Sequence, residues 1–234
     1  YNSGTNWTNI GEITDPDSNG DTQFGYAVDI NNEGNIIAIN AVISGFSYIY
    51  QYNSGTSWSK IGTLTTGTTE ITSHSQTAFT SISLNNDGDV VAVGSADYDS
   101  NKGKVSIYKY NGSSWDPLGS VIVGDTVTWA NGTVQGRAIG ITVSLNGSGN
   151  RVAIGNNGIH TGYIVYIYDY SDSTMNVTNG SWSQSNTITS GFAYSADRFG
   201  TCVSINDDGN IIAIGSPYYG NFPADSNTGT PQNG

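Results

Sequence analysis

The chain has 234 residues, with 7 Lys or Arg against 19 Asp or Glu and a net charge of −12. That balance argues against a nucleic-acid binder, which needs clustered cations to neutralise phosphates, and against docking on an anionic membrane surface. One cysteine, Cys202, rules out an internal disulfide and a Cys-based metal site, and no apolar run approaches the ~18 residues of a membrane span.

In chain order, residues 1–7 match residues 52–58, so the chain opens at the end of a strand and continues into a second strand carrying Trp7. A unit then recurs over approximately 21–66, 75–124, 135–190 and 197–234, the last incomplete, with a partial copy at 1–14. The whole of 1–234 reads as one segment of a single repeat-built domain, and its two ends suggest a piece of a longer polypeptide. The most regular part of each unit is a strand, a tight turn and a second strand, at 26–39, 81–93, 141–154 and 201–214. Val28, Ile30, Ile82, Leu84, Val143, Leu145, Val203 and Ile205 alternate with other residues at the period of a strand. The turns carry Gly34, Gly88, Gly149 and Gly209 beside Asn or Asp, which suits a hairpin. The second strand, such as 90–93, is apolar throughout, as a strand covered on both faces reads. A Tyr-rich third strand follows at 48–52, 105–110 and 164–170.

The fourth strand carries one tryptophan, at Trp7, Trp58, Trp115 or Trp182. Three of these run Trp-x-x-[Ile/Leu]-Gly to Gly11, Gly62 and Gly119; the copy at Trp182 ends at Asn186 instead. Four antiparallel strands per unit and no helix signal predict an all-β chain of four-stranded propeller blades, four units being present as part of a larger propeller. No blade buries both faces alone, so neighbours must stack, and the regular Trp is expected to pack between blades.

Phe24-Gly25 and Phe199-Gly200 open a unit, Ile139-Gly140 stands in their place in the third, and Gly94-Ser95 or Gly215-Ser216-Pro217 closes the second strand. This pattern resembles the FG-GAP repeat family, whose best-known members form the seven-bladed propeller of integrin α chains. The resemblance covers nearly the whole chain. Calcium-binding members of that family carry an Asp-x-Asn-x-Asp-Gly-x-x-Asp loop between the first two strands. Here the loop shrinks to a hairpin such as 85–89, and the copy at 146–150 has no carboxylate. Calcium takes about 6–8 oxygen ligands, so the resemblance points to a calcium-free variant and no cofactor is expected.

Sites of chemistry are sparse. His74 and His160 fall in loops of different units, read as solvated, and no His-x-x-x-His, Gly-x-Ser-x-Gly or phosphate-loop pattern occurs. Cys202 reads as a small packed side chain. Asp97 and Asp99 form the densest acidic loop cluster and are the candidates for a cation site, against a reading as a solvated loop. The loops 15–23, 66–77, 125–135 and 189–198, with 41–45, 95–103 and 156–162, should gather on one face. Trp129 lies outside the repeat in one of them and is the candidate for stacking on a sugar or anchoring a protein. Asn6, Asn111, Asn131, Asn146, Asn176 and Asn179 begin Asn-x-Ser/Thr sequons, candidates for glycosylation in a secreted protein, although a chain this rich in Asn, Ser and Thr produces about that many by chance.

These features lead to the expectation of a non-enzymatic extracellular structural or adhesion module. It would contact other proteins or copies of itself, as in a surface appendage or filament. The alternative is a carbohydrate-binding, lectin-like propeller, suggested by Trp129 and the Tyr-rich strands.

Overall fold

The computed structural model describes residues 6–17, 22–55, 57–65, 80–128, 131–156, 163–190 and 198–217. The first sheet runs β1 (Phe24–Ile30), β2 (Ile36–Ala41), β3 (Phe46–Ser54), β4 (Ser57–Thr65), each strand antiparallel to its sequence neighbour. The second sheet runs β5 (Thr80–Leu84), β6 (Val90–Ser95), β7 (Lys104–Tyr110), β8 (Trp115–Pro117), and β9 (Ile122–Val123) also pairs with β7. A hairpin of β10 (Thr126–Thr128) and β11 (Val134–Gly136) precedes the third sheet. That sheet is β12 (Ile139–Leu145), β13 (Arg151–Asn156), β14 (Ile164–Tyr170), β15 (Trp182–Thr189). The fourth sheet contains β16 (Cys202–Ile205) and β17 (Ile212–Gly215). The chain is all-β, with antiparallel four-stranded sheets arranged as in a propeller, and no closed ring forms among the described residues.

Two expectations are modified. Around Trp7 there is a single bridged residue rather than a strand. The fourth strand of the second unit is split in two, because Pro117 has no N–H for the ladder and Gly119 turns to φ 73°.

The first-strand hairpins close on one asparagine each. Asn31 Oδ1 accepts the backbone N–H of Asn35 and Ile36 at 3.0 and 2.9 Å, and its Nδ2 donates to Asn35 Oδ1 at 2.9 Å. Asn85 and Asn206 repeat all three bonds, and Asn146 repeats the bonds to Arg151 and Asn150. The side-chain oxygens of the turn therefore hold the backbone. At the start of β1 and β12 the register shifts, at Gly25 and Gly140 with φ 88° and 86°. These are the glycines of the Phe-Gly and Ile-Gly pairs, and a positive φ is what such a bulge requires.

The sheets stack in chain order, the trailing face of one against the leading face of the next. Ile36, Ala38 and Ile49 of the first sheet pack on Ile82 and Leu84 of the second. Val90, Val105 and Ile107 pack on Val143 and Leu145 of the third, and Ala153, Val165 and Ile167 on Val203 of the fourth. Burial of these aliphatics, at about 25 cal/mol per Å² of apolar surface, is the main force joining the sheets.

Three polar or steric contacts recur at each step. A turn N–H donates to the next turn's carbonyl: Asn32 to Asn86 at 3.2 Å, Asn86 to Gly147 at 3.0 Å, Gly147 to Asp207 at 3.0 Å. A first-strand side chain accepts a first-strand N–H of the next sheet: Asp29 from Leu84 at 2.7 Å, Ser83 from Leu145 and Ser144 from Ile205, both at 3.1 Å. The residue opening each second strand lies against the next turn glycine: a Cβ on Gly88, Gly149 or Gly209 would stand 2.8 Å from Ile36, 2.9 Å from Val90 or 3.1 Å from Arg151.

Candidate functional site

Antiparallel connectivity places the β2–β3 and β6–β7 connections, the segment leading into β1 and the β10–β11 hairpin at one end of the stack. Two clusters form there. In the first, Asp17 N–H donates to Asp15 Oδ1 at 2.9 Å, Thr22 donates its hydroxyl to Asp15, and Tyr48 donates its hydroxyl to Asp17. Tyr48 is buried among Phe24 and Phe46, and burial, then Asp17, drives its hydroxyl pKa far above the ordinary value. It stays a protonated donor at neutral pH, so it serves to pin the 13–17 segment rather than to abstract protons.

The second cluster joins the second and third sheets. Residues 99–101 turn left-handed, with φ 47°, 57° and 62°, which are costly angles for residues other than glycine. The turn is fixed from the neighbouring unit: Ala138 N–H donates to Asn101 O at 2.6 Å and Ile139 N–H to Lys102 O at 3.1 Å, and Gly124 N–H donates to Gly103 O at 3.0 Å. Gly136 allows β11 to lie against Asn101, since a Cβ there would stand 2.2 Å from the Asn101 backbone.

On this frame Asp99 pairs with Lys102 at 2.6 Å and Arg137 with Asp125 at 2.6 Å. The Lys104 ammonium sits 4.4 Å from the Tyr98 ring centroid, a cation–π arrangement. Burial lowers the Lys104 pKa and raises that of Asp97, whose Oδ1 is buried without a hydrogen-bond partner. An acid and a base pushed toward each other in this way mark a candidate site.

Asp97 and Asp99 are thus neighbours with separate roles, one half-buried and one paired to Lys102. Among the described residues no group of three or more His, Cys, Asp or Glu side chains could hold a metal ion. Trp129, His74 and His160 lie outside the described residues. Asn6, Asn111, Asn131, Asn176 and Asn179 are exposed. Asn146 is buried, its Nδ2 donating to Ser148 Oγ and Asn150 Oδ1 at 3.0 Å each, so the fold withholds that amide from solvent. Cys202 is exposed rather than packed, because it alternates with Val203, which takes the inward place. Lys102, Lys104, Tyr98 and Arg137 were not anticipated as a group. The available signal was scarcity: three of the chain's 7 cations gather on one seam.

Trp115 and Trp182 pack between sheets, while Trp58 packs on residues of its own sheet. Trp58, Trp115 and Trp182 stack on Tyr52, Tyr110 and Tyr170 of their own sheets, with centroids 5.1, 5.1 and 5.2 Å apart. Trp115 also covers Gly62, and Trp182 covers Gly119 and donates its Nε1–H to Leu118 O at 2.7 Å. Trp7 is 82% exposed. Asn186 takes the place of Gly62 and Gly119 in the third sheet and lines a 340 Å³ cleft with Ile167, Ile188, Ile205, Ile211 and Arg151.

No family model matches the chain, and no curated protein matches it. Solved structures do. KlAtg21, a seven-bladed propeller solved with the coiled coil of AgAtg16, is similar over 81% of this chain and 48% of its own, with 13% identity and a TM-score of 0.52. A protein of Bacteroides uniformis provisionally named 6-phosphogluconolactonase is similar over 87% and 51%, with 12% identity and a TM-score of 0.46. A protein of Bacteroides fragilis with the same provisional name is similar over 80% and 41%, with 13% identity and a TM-score of 0.45. The chain spans about half the length of these structures. The likeness shows a propeller-like all-β fold.

It also corrects one expectation. The sequence reading sets catalysis aside, yet two similar structures bear the names of enzymes, so this fold does not by itself exclude an enzyme. At such identities neither name transfers a reaction to this chain. Among the described residues no helix is long and apolar enough to cross a membrane.

Proposed function

We propose that the chain is part of a larger FG-GAP-like propeller serving as an extracellular structural or adhesion module, with its loop face making protein–protein contacts in a surface appendage or filament. The FG-GAP reading is supported by the way the motif glycines meet. A Cβ on Gly94 would stand 2.2 Å from Gly140 O and one on Gly155 would stand 2.1 Å from Gly200 O. The opening residue of the next unit therefore lays its carbonyl where a side chain on the second-strand glycine would stand, which gives that glycine a steric reason.

The observation that carries the contact role is the seam between the second and third sheets. It is a preformed surface, fixed by main-chain bonds from both sides, and it concentrates Lys102, Lys104 and Arg137 on a chain of net charge −12. A rigid surface loses little entropy when a partner docks, and the paired charges of the seam, Lys102 with Asp99 and Arg137 with Asp125, hold polar groups in fixed places for a partner to meet. Immunogold labelling of the native source tests the reading: label on surface appendages or extracellular filaments supports it, and label confined to the cell interior overturns it.

A further inference from the structure

Two rows of side chains face each other at the loop end of the seam between the first and second sheets. On the second sheet Thr80, Ser95 and Lys104 stand side by side in register. They share the face of Ile82, Leu84, Val91 and Val93, which packs on the first sheet. The corresponding row is Phe24, Ala41 and Phe46 in the first sheet. In the third it begins with Ile139 and Asn156, and the Asn156 oxygen accepts the Ile164 N–H at 2.7 Å. The opposing row, on the first sheet, is Asn40, Ser47 and Leu64, on the face of Ile36 and Ala38. There the second sheet carries Gly94, Val105 and Ile122, and the third Gly155, Val165 and Ile188. Among the described residues, this seam alone has polar side chains on both of its facing rows.

The main chain explains why Asn40 fits. At the next two seams its place is a glycine lying against the opening bulge of the following sheet, a Cβ on Gly94 or Gly155 standing 2.2 or 2.1 Å from Gly140 O or Gly200 O. The register shifts there at β12, as it does at β1, but Thr80, Ser81 and Ile82 of β5 meet Ser95, Gly94 and Val93 one for one. Glycine and bulge are lost together, and polar side chains take their room. They do not satisfy one another. Asn40 is fully buried; its Oδ1 accepts the Ser47 hydroxyl at 2.5 Å, but its Nδ2 has no partner among the described residues. Thr80 is 5% exposed, and its hydroxyl oxygen has none either. Two residues beyond Ser95, Asp97 adds a buried unpaired oxygen, near enough to Lys104 for each charge to offset part of the other's burial. The Lys104 ammonium rests over the Tyr98 ring and makes no ion pair among the described residues. Buried polar groups left unpaired are costly, so their concentration at one seam calls for an occupant.

From these facing rows we infer that the loop end of the seam between the first and second sheets binds a neutral polyhydroxyl ligand, a single sugar ring, with Asn40 and Thr80 as its floor and Asp97 and Lys104 as its rim. A charged occupant fits poorly. An anion that meets Lys104 and the Asn40 amide also meets Asp97, and a cation that meets Asp97 also meets Lys104. A hydroxyl both donates and accepts. Hydroxyls on one ring accept from the Asn40 amide and the Lys104 ammonium, donate to Asp97 and pair with the Thr80 hydroxyl. Entry moves only the half-buried rim: as Lys104 leaves the Tyr98 ring, that ring offers its apolar face to the sugar's C–H groups. The inference goes beyond the structural-module reading and does not depend on it, since the same chemistry takes a free sugar or the end of a partner's glycan.

The test is titration calorimetry of the full chain with glucose, galactose, mannose and N-acetylglucosamine, using the variants Thr80→Val and Lys104→Met. At least one sugar should bind the wild type, with a Kd of about 1 mM or tighter. Thr80→Val keeps the side chain's shape and removes an unpaired hydroxyl, so without sugar it should melt at or above the wild-type temperature. It should nevertheless bind that sugar about tenfold or more weakly. Lys104→Met, at the half-buried rim, should keep the fold and weaken binding as much; it decides alone if Thr80→Val fails to fold. An oligosaccharide ending in the same sugar separates the sources: equal affinity marks a free sugar, and tighter binding marks a glycan. A wild type that binds none of the four overturns the inference and leaves the seam to ordered water alone. Variants that bind like the wild type overturn it too, because the sugar then sits elsewhere. Neither failure bears on where immunogold finds the protein, so the functional reading is judged separately.

Discussion

A Cβ added to Gly62 would lie 2.5 Å from Cδ1 of Trp115 in the following sheet. The last residue of the Trp-x-x-Ile-Gly motif is thus bare because the first residue of the next motif lies on it. A motif that looks local in sequence is one side of a contact between two units.

Gly62→Ala should displace the indole and cost about 1–3 kcal/mol, the usual range for overpacking. Gly94→Ala should cost more, because its Cβ would stand 2.2 Å from the Gly140 carbonyl oxygen and a backbone atom cannot swing aside. Urea unfolding with an unchanged m-value reads both. Equal losses, or none, would refute the steric account of the repeat.

The turn asparagines make a second comparison. Asn85 is buried and its side chain makes three hydrogen bonds; Asn206 makes the same three but is half-buried. Asn85→Ala strands buried N–H groups and should cost about 2–3 kcal/mol, and Asn206→Ala about 1 kcal/mol, because water can replace the lost partner. The same bonds occupy the oxygens that a calcium loop would offer. Millimolar calcium should therefore leave the melting temperature unchanged, and a rise on calcium addition would contradict this reading of the turns.

The period-2 pattern of Ile82 and Leu84, the hairpins at Gly34 and Gly88 and the role of Trp115 and Trp182 were legible in the sequence, because each depends on spacing within one unit. The cluster around Asp97 was only half legible. Its acidic loop stood out, but Lys104, Tyr98 and Arg137 join it through contacts between Asn101 and Ala138, and between Lys102 and Ile139, which no local pattern announces. The exposure of Cys202 was missed for the same reason: strand alternation says that it opposes Val203, not that nothing among the described residues covers its side of the sheet.

Asp97 provides a pH test. Burial raises its carboxyl pKa, and Lys104 only partly offsets this. A raised acid pKa means the folded state holds the proton more tightly than the unfolded chain. Its ionisation therefore destabilises the fold as pH rises from the unfolded value, about 3.9, through the folded one. Asp97→Asn removes that charge and should raise the melting temperature at pH 7, with the gain fading below pH 4. A gain that is independent of pH, or a loss at pH 7, would place the carboxylate in a favourable charged role instead.

Asp169 has the opposite sign. Arg151 Nε meets Asp169 Oδ1 at 2.5 Å and Nη2 meets Oδ2 at 3.0 Å, while Nη1 donates to Gly209 O of the next sheet at 2.7 Å. The hydrogen bond from Arg151 is the main cause holding the Asp169 carboxyl below its ordinary pKa. The resulting stabilisation is complete above the unfolded value, about 3.9, and is lost as pH falls through the folded one. Both side chains are about one-third exposed, so solvent screening keeps the contribution under about 1 kcal/mol. Asp169→Asn should therefore cost up to that amount at pH 7 and nothing once Asp169 is protonated in the folded and unfolded chain alike. Arg151→Ile should follow the same pH dependence. It restores the aliphatic contact that Ile36 and Val90 make with Gly88 and Gly149, but leaves the Gly209 carbonyl to water. Its cost at pH 7 should match that of Asp169→Asn within experimental error, and at low pH it should be as stable as the wild type. If Arg151→Ile costs several times more at both pH values, the arginine acts chiefly as the bond between the third and fourth sheets rather than as the partner of Asp169.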